Sequence, residues 1–132
     1  MVIKNATVIT AEQILSGYDV LIKNGAITEI GKNLYDEVKI DAMGMYLCPG
    51  FVDIHMHEDP VLPDGSIYKD EEKAIFNCML RMGVTSAIAG NCGENKYHPA
   101  DYLDLVDAQG TAVNVGMMAG HEFFRHAAGA MD

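Results

Sequence analysis

The sequence lacks tryptophan and is poor in positive charge. Nine Lys and Arg residues stand against nineteen Asp and Glu residues, so the 132-residue chain has a formal net charge of -10 at pH 7. Nucleic acids and anionic membranes attract basic surfaces, and we therefore expect neither as a partner. The sequence also lacks a secretory signal and any apolar run near the roughly 20 residues of a membrane span. These absences predict a cytoplasmic protein.

Cysteine is scarce as well. The three cysteines are an odd number without a secretion signal, which argues against a disulfide framework. Cys48 precedes Pro49 at the end of a predicted strand, and Cys78 lies on the apolar face of a predicted helix. We expect both to be packed as small buried side chains. Cys92 lies in a different context, described below.

The first part of the chain has the pattern of short β-strands. Its segments are rich in β-branched residues, and the pair Asn24-Gly25 is a strong signal for a hairpin turn. The segments with this pattern are residues 2–9, 19–23, 26–30, 38–41 and 45–48. We predict a small antiparallel β unit over residues 1–49.

From residue 50 onward, predicted strands alternate with predicted helices. The strands are residues 51–54, 84–89 and 111–118. The helices are residues 69–82, residues 100–108 and a segment that begins near residue 122. This alternation predicts a parallel sheet with crossover helices. The chain stops after three such units without a closing element, so we expect it to be a fragment.

The strongest local signal is His55-Met56-His57, directly after the apolar strand. Side chains two residues apart on a strand share one face, and two imidazoles on one face can bind one metal ion. Two solvated histidines are the alternative. In a β/α barrel the catalytic groups gather at the carboxyl ends of the strands, which is where this pair falls.

The next two strands end in residues with similar chemistry. The second strand runs into the segment 90–93, in which glycines flank Cys92, and the third strand is followed by His121. A thiolate is a good zinc ligand, and flanking glycines let the backbone turn sharply. We therefore predict that His55, His57 and Cys92 lie close enough to share one cation. The third-strand histidine is a further ligand or an acid/base group.

Other polar residues have less specific surroundings. Asp59 orients a ligand, binds substrate or is simply solvated, and the sequence does not separate these roles. We expect His98, beside a proline, at a helix entry, and His126 in a structural role on the last helix. The acidic run at residues 70–72 is typical of the solvated first turn of a helix.

These motifs resemble those of the amidohydrolase superfamily. Residues 49–57 resemble its motif around the first barrel strand, and the preceding β segment is similar to its N-terminal β-sandwich. Residues 83–85 and 90–93, followed by Gly120-His121, look like the N-acyl-D-amino-acid deacylase (D-aminoacylase) branch. The resemblance implies an α/β fold. Residues 1–49 would form part of a small β-sandwich, and residues 50–132 the first three strand–helix units of an incomplete TIM-like (β/α)8 barrel.

The resemblance also implies a site that binds one or two Zn²⁺ ions. The metal ligands that it implies are His55, His57 and Cys92. The residues that match positions near the substrate or next to the ligands are Asp59, His121 and Arg125. The general base would belong to later strands, outside this chain.

The implied activity is zinc-dependent hydrolysis of a non-peptide C–N bond in a small molecule, namely an N-acyl-D-amino acid. We expect the fragment alone to be inactive, and a homo-oligomer remains open. One alternative is a dihydropyrimidinase- or dihydroorotase-like cyclic amide hydrolase, against which Cys92 argues because many relatives have a bridging lysine at this position. The other is a non-catalytic metal-binding or oligomerising remnant.

Overall fold

The computed structural model describes residues 1–130 and divides the chain into two compact units, one at residues 1–49 and one from Gly50 onward. The elements of the first unit are β1 (Val2–Ile9), β2 (Ile14–Lys23), β3 (Ala26–Gly31), β4 (Lys39–Asp41) and β5 (Tyr46–Leu47). The elements of the second unit are β6 (Phe51–Asp53), α1 (Ile75–Arg81), β7 (Val84–Ala89), α2 (Pro99–Gln109), β8 (Asn114–Met117) and α3 (His121–Ala127). None of the helices within residues 1–130 has the length and apolar character needed to cross a membrane.

The first unit is one mixed sheet in the strand order β3-β2-β1-β4, with β5 also paired to β1. The predicted hairpin is confirmed, since Asn24 and Gly25 connect the antiparallel strands β2 and β3 with positive φ angles. The prediction of a wholly antiparallel unit is wrong, because β4 and β5 pair with β1 in parallel.

A buried carboxylate on β2 contacts both β1 and the segment that leads to β4. Asp19 accepts hydrogen bonds from the Lys4 ammonium, at 2.7 Å, and from the backbone N–H of Leu34, at 3.0 Å. These bonds hold the segment between β3 and β4 close to β1 and β2. Cys48 is exposed, contrary to our expectation, because β5 ends before it at Leu47.

The second unit contains the predicted parallel sheet, in the order β6-β7-β8, with helices between the strands. Its core lies between the sheet and the helices and includes Phe76 of α1, Ala87 and Ala89 of β7, and Tyr102 of α2. The three strand–helix units are therefore present as a mixed α/β arrangement. The strand β6 lies at the edge of the sheet, and its Phe51 side chain is exposed.

Helix α1 begins six residues later than predicted, at Ile75. The acidic run before it forms a turn, in which the Asp70 carboxylate accepts hydrogen bonds from two following backbone N–H groups. The first N–H groups of α1, at Ile75 and Phe76, instead donate to the carboxylate of Asp59. The helix starts where this distant side chain satisfies its free N–H groups.

Candidate functional site

The two histidines of the His-x-His motif lie beyond strand β6, which ends at Asp53. The Asp53 carboxylate accepts a hydrogen bond from the backbone N–H of His55 at 2.9 Å and so fixes the bend after the strand. Met56 is buried in the core, whereas His55 and His57 are exposed on either side of it. Both imidazoles thus face the surface, while Met56 between them packs into the core.

Cys92 lies in a short 3₁₀ turn (Asn91–Gly93) that follows β7, and its backbone is left-handed, with φ 62° and ψ 11°. Its Sγ lies 3.7 Å from Nε2 of His55. Tetrahedral zinc with ordinary Zn–S and Zn–N bond lengths would hold its sulfur and nitrogen donors about 3.6 Å apart. The spacing of the pair therefore fits two ligands of one zinc ion.

Asn91 connects the Cys92 turn to the histidine segment. Its side chain is buried, and Nδ2 donates to the carbonyl of Met56 at 3.2 Å and to that of Ile88 at 2.9 Å. The same amide thus holds both the residue beside His55 and the end of β7. Asn91 was not among the predicted site residues, although its place directly before a candidate ligand was visible in the sequence.

The loops after β7 and β8 approach each other closely at two glycines. A Cβ atom on Gly90, whose φ is 76°, would lie 2.4 Å from the carbonyl oxygen of Met118, and one on Gly120 would lie 2.6 Å from that of Gly93. Asn95 joins these loops, because its side chain donates to the Met118 carbonyl and accepts from the N–H of Gly120. These contacts fix the position of the next residue, which is exposed and begins α3.

That residue is His121, the histidine that follows the third strand of the sheet. Arg125 lies one turn further along α3, and its Nε donates to the carbonyl of Ala130 at 2.9 Å. This bond directs its side chain to the end of its own helix. The roles of both residues toward a substrate stay predictions.

The structure brings His55 and Cys92 together but does not gather a full ligand set. Within residues 1–130, no group of three or more His, Cys, Asp or Glu side chains lies close enough to hold a metal ion. His57 lines a separate cleft with Glu58, Glu94 and Lys96. The three-ligand site therefore stays a prediction, and the pair is the part of it that the geometry supports.

Asp59 is almost fully buried, with 1% of its surface exposed. Both carboxylate oxygens accept backbone N–H groups at the start of α1, at 2.8 and 2.9 Å, and the Tyr102 hydroxyl donates to its carbonyl at 2.8 Å. Burial, together with the nearby Asp59 charge, raises the pKa of Tyr102. The interpretation of Asp59 as a solvated residue is wrong, and these contacts indicate that it caps α1. Its role toward a substrate stays a prediction.

Several known enzymes are similar to this chain. A dihydroorotase of Aquifex aeolicus is 38% identical over 111 residues, covering 81% of this chain and 25% of that protein. A D-hydantoinase of Geobacillus stearothermophilus is 38% identical over 100 residues, covering 74% of this chain and 20% of that protein. A D-aminoacylase of Alcaligenes xylosoxydans is 29% identical over 135 residues. The chain thus spans about a quarter of the length of these relatives.

Solved structures of a D-aminoacylase and a D-hydantoinase also superimpose on this chain. A D-aminoacylase described with a binuclear metal centre superimposes with a TM-score of 0.75 at 25% identity, covering 96% of this chain and 30% of that structure. A D-hydantoinase superimposes with a TM-score of 0.63 at 34% identity, covering 88% of this chain and 26% of that structure. A scan against protein-family models finds no match.

Proposed function

Because this chain belongs to the amidohydrolase superfamily, we propose that it supplies the first metal ligands of a zinc-dependent hydrolase that cleaves the amide bond of an N-acyl-D-amino acid. The observation that carries the proposal is the 3.7 Å spacing of Cys92 Sγ and His55 Nε2, which suits a shared zinc ion. His57 would complete the ligands from this chain.

The fold gives this proposal its physical setting. Parallel strands have their carboxyl ends at one edge, and in a (β/α)8 barrel this edge carries the active site. The segments after β6 and β7 meet here through Asn91, and the loops after β7 and β8 meet through Asn95. We propose that residues 50–132 are the first three strand–helix units of such a barrel, and residues 1–49 the N-terminal part of a β-sandwich.

The chain's own residues would prepare the metal site in three ways. The buried amide of Asn91 fixes the two ligand segments relative to each other. The left-handed backbone of Cys92 presents its thiol on the side of His55. The Asp53 carboxylate holds the N–H of His55 and thereby the direction of that residue. When bound, zinc supplies Lewis acidity to an amide carbonyl and to an attacking water.

Two observations favour an N-acyl amino acid as the substrate. The superposition on D-aminoacylase covers more of the chain, and with a higher TM-score, than that on D-hydantoinase. In addition, Cys92 occupies a position for which the family resemblance implies a bridging lysine in many cyclic-amide hydrolases. A cyclic amide is the second candidate, because dihydroorotase and D-hydantoinase have the higher sequence identity.

Metal analysis of the purified chain tests the ligand pair. We expect bound zinc in the parent chain, and loss of most of it in Cys92→Ser and in His55→Ala. Cys48→Ser is the matched control, because Cys48 is also exposed but lies in the first unit. In the Co²⁺-loaded chain, thiolate-to-metal charge-transfer absorption should be present, and it should disappear in Cys92→Ser but persist in Cys48→Ser. Zinc content that is unchanged in both site variants would contradict the proposal.

Substrate assays separate the two candidate reactions. The longest gene product that contains this chain should hydrolyse N-acetyl-D-amino acids in preference to hydantoin or dihydroorotate. The reverse order would assign the site to cyclic amides and leave the metal proposal intact.

A further inference from the structure

A second feature lies next to the ligand pair, in the cleft of about 240 Å³ that is lined by His57, Glu58, Glu94 and Lys96. Three of these residues are exposed, as is usual for charged or polar side chains. Glu58 is the exception, since only 5% of its surface is exposed. A carboxylate this deeply buried normally has hydrogen-bond partners for both oxygens.

Glu58 has a partner for one oxygen only. Its Oε1 accepts a long hydrogen bond, of 3.4 Å, from the backbone N–H of Lys96. Its Oε2 is buried and has no hydrogen-bond partner among the described residues. The Lys96 side chain lines the same cleft, but the ion pairs within residues 1–130 do not include one between Lys96 and Glu58. Glu58 therefore lines the cleft while its buried Oε2 remains an acceptor without a partner among the described residues.

The chemistry of the cleft restricts what would satisfy this acceptor. An ionised carboxylate accepts hydrogen bonds and donates none, so its partner must be an N–H or O–H donor. The cleft is lined by two acidic residues, Glu58 and Glu94, and one basic residue, Lys96. Its formal charge is therefore -1 when His57 is neutral. In the metal-free chain the cleft would therefore repel the carboxylate end of a ligand and favour a neutral or cationic N–H group.

We propose that Glu58 is a substrate-binding residue whose Oε2 accepts a hydrogen bond from an N–H group of the substrate. This deepens the proposed function, since an amide substrate carries such a group beside the bond that is cleaved. The binding of an N–H group at Glu58 does not itself require a metal ion, and the two proposals can therefore fail separately.

Three probes of the same size and shape test the proposal on the metal-free chain. Benzamide offers neutral N–H donors, benzamidinium offers cationic N–H donors, and benzoate offers acceptors alone. Titration is followed by the backbone amide NMR signals of Glu58 and Lys96. We expect benzamide, benzamidinium or both to shift these signals saturably, and benzoate to bind at least about tenfold more weakly, as a charge-assisted hydrogen bond implies. Binding by benzamidinium alone would indicate a cationic group, and binding by benzamide an amide.

A matched pair of variants assigns the effect to one carboxylate. Glu58→Gln should weaken the N–H probe by about tenfold, and Glu71→Gln, which removes an exposed carboxylate elsewhere, should not change its affinity. The melting temperature of Glu58→Gln should stay level or rise, because a buried carboxyl oxygen without a hydrogen-bond partner is removed. A lower melting temperature with unchanged probe affinity would mean that Glu58 has a structural role and would overturn the proposal. Equal binding of benzoate, or no binding of any probe, would overturn it as well, even if Glu58→Gln failed to fold.

Discussion

Replacement of Asp59 by alanine should destabilise the second unit strongly, because one side chain satisfies the first N–H groups of α1 from 16 residues away. In the variant the N–H groups of Ile75 and Phe76 lose their acceptor. Phe76 is buried, so water cannot easily take the place of the carboxylate there. Both bonds are short, at 2.8 and 2.9 Å, as expected for a charged acceptor.

The size of the loss follows from these contacts. Removing the side chain that caps a helix costs about 1 kcal/mol in exposed settings, and a hydrogen bond to a charged group is worth roughly 1.5 to 3 kcal/mol. The two bonds share one carboxylate and are not additive, so we expect a loss of about 3 kcal/mol in the free energy of unfolding. Asp59→Asn keeps one acceptor oxygen and should lose about half as much.

Asp70→Ala is the matched control, because the Asp70 carboxylate also accepts two backbone N–H groups, but in an exposed turn. We expect it to cost only about 0.5 kcal/mol, since water can replace its carboxylate. Urea unfolding monitored by the far-UV circular dichroism of the helices measures both losses, because all helices of the described residues lie in the second unit. A loss for Asp59→Ala that is no larger than for Asp70→Ala would refute the assignment of Asp59 as the cap of α1.

Two further predictions concern the loop after β7 and the first unit. Gly90→Ala should lower the unfolding free energy by about 3 kcal/mol, because the added Cβ would collide with the carbonyl of Met118. Gly65→Ala is the control, since Gly65 also has a positive φ but lies in open space, and it should cost only about 1 kcal/mol. Equal urea midpoints for the two variants would contradict the close contact with Met118. Burial opposes ionisation of Asp19, but hydrogen bonds from Lys4 and from two backbone N–H groups outweigh it and hold the pKa of Asp19 below 3.8. The stability that this carboxylate contributes is thus complete above about pH 4 and is lost as the pH falls toward its lower folded pKa. In Asp19→Asn the free energy of unfolding should therefore fall less steeply as the pH is lowered below about 4.

The elements that were predictable from sequence are those with local signals. Asn24-Gly25 forms the hairpin turn, because both residues adopt the positive φ angles that this turn requires. The second helix, predicted over residues 100–108, spans Pro99–Gln109, since proline favours the first turn and Gly110 the end of a helix through their own backbone. Such signals need no knowledge of the rest of the fold.

The elements that were mispredicted depend on distant partners. The start of α1 was placed too early, because its cap is Asp59 and not the adjacent acidic run. The parallel pairing of β4 was missed, since it joins residues 2–4 to residues 39–41, which are far apart along the chain. Neither contact has a periodicity or a turn residue that reveals it.

The candidate site was likewise predictable only where a general rule of sheet geometry applied. Parallel strand ends meet at one edge, and this rule was enough to expect Cys92 beside the histidine segment. The rule was not enough for His57, because the chain leaves the strand at Asp53 and the two-residue alternation of a strand no longer applies. Asn91, which joins the two segments, was not assigned a role because its two acceptors are backbone carbonyls.

The backbone conformation of Cys92 indicates that more than packing determines its position. Among residues 1–130, four non-glycine residues have positive φ angles, and Cys92 is the one that is not asparagine. Asparagine tolerates this conformation, whereas for other residues it costs of order 1 kcal/mol or more and persists only when the surroundings enforce it. A cysteine that merely filled space would relax to an ordinary conformation or be buried, but Cys92 is exposed and has its sulfur beside His55. The buried amide of Asn91 and the close contact at Gly90 hold the two residues that precede Cys92, and a thiol fixed in this way suits the metal ligation that we propose.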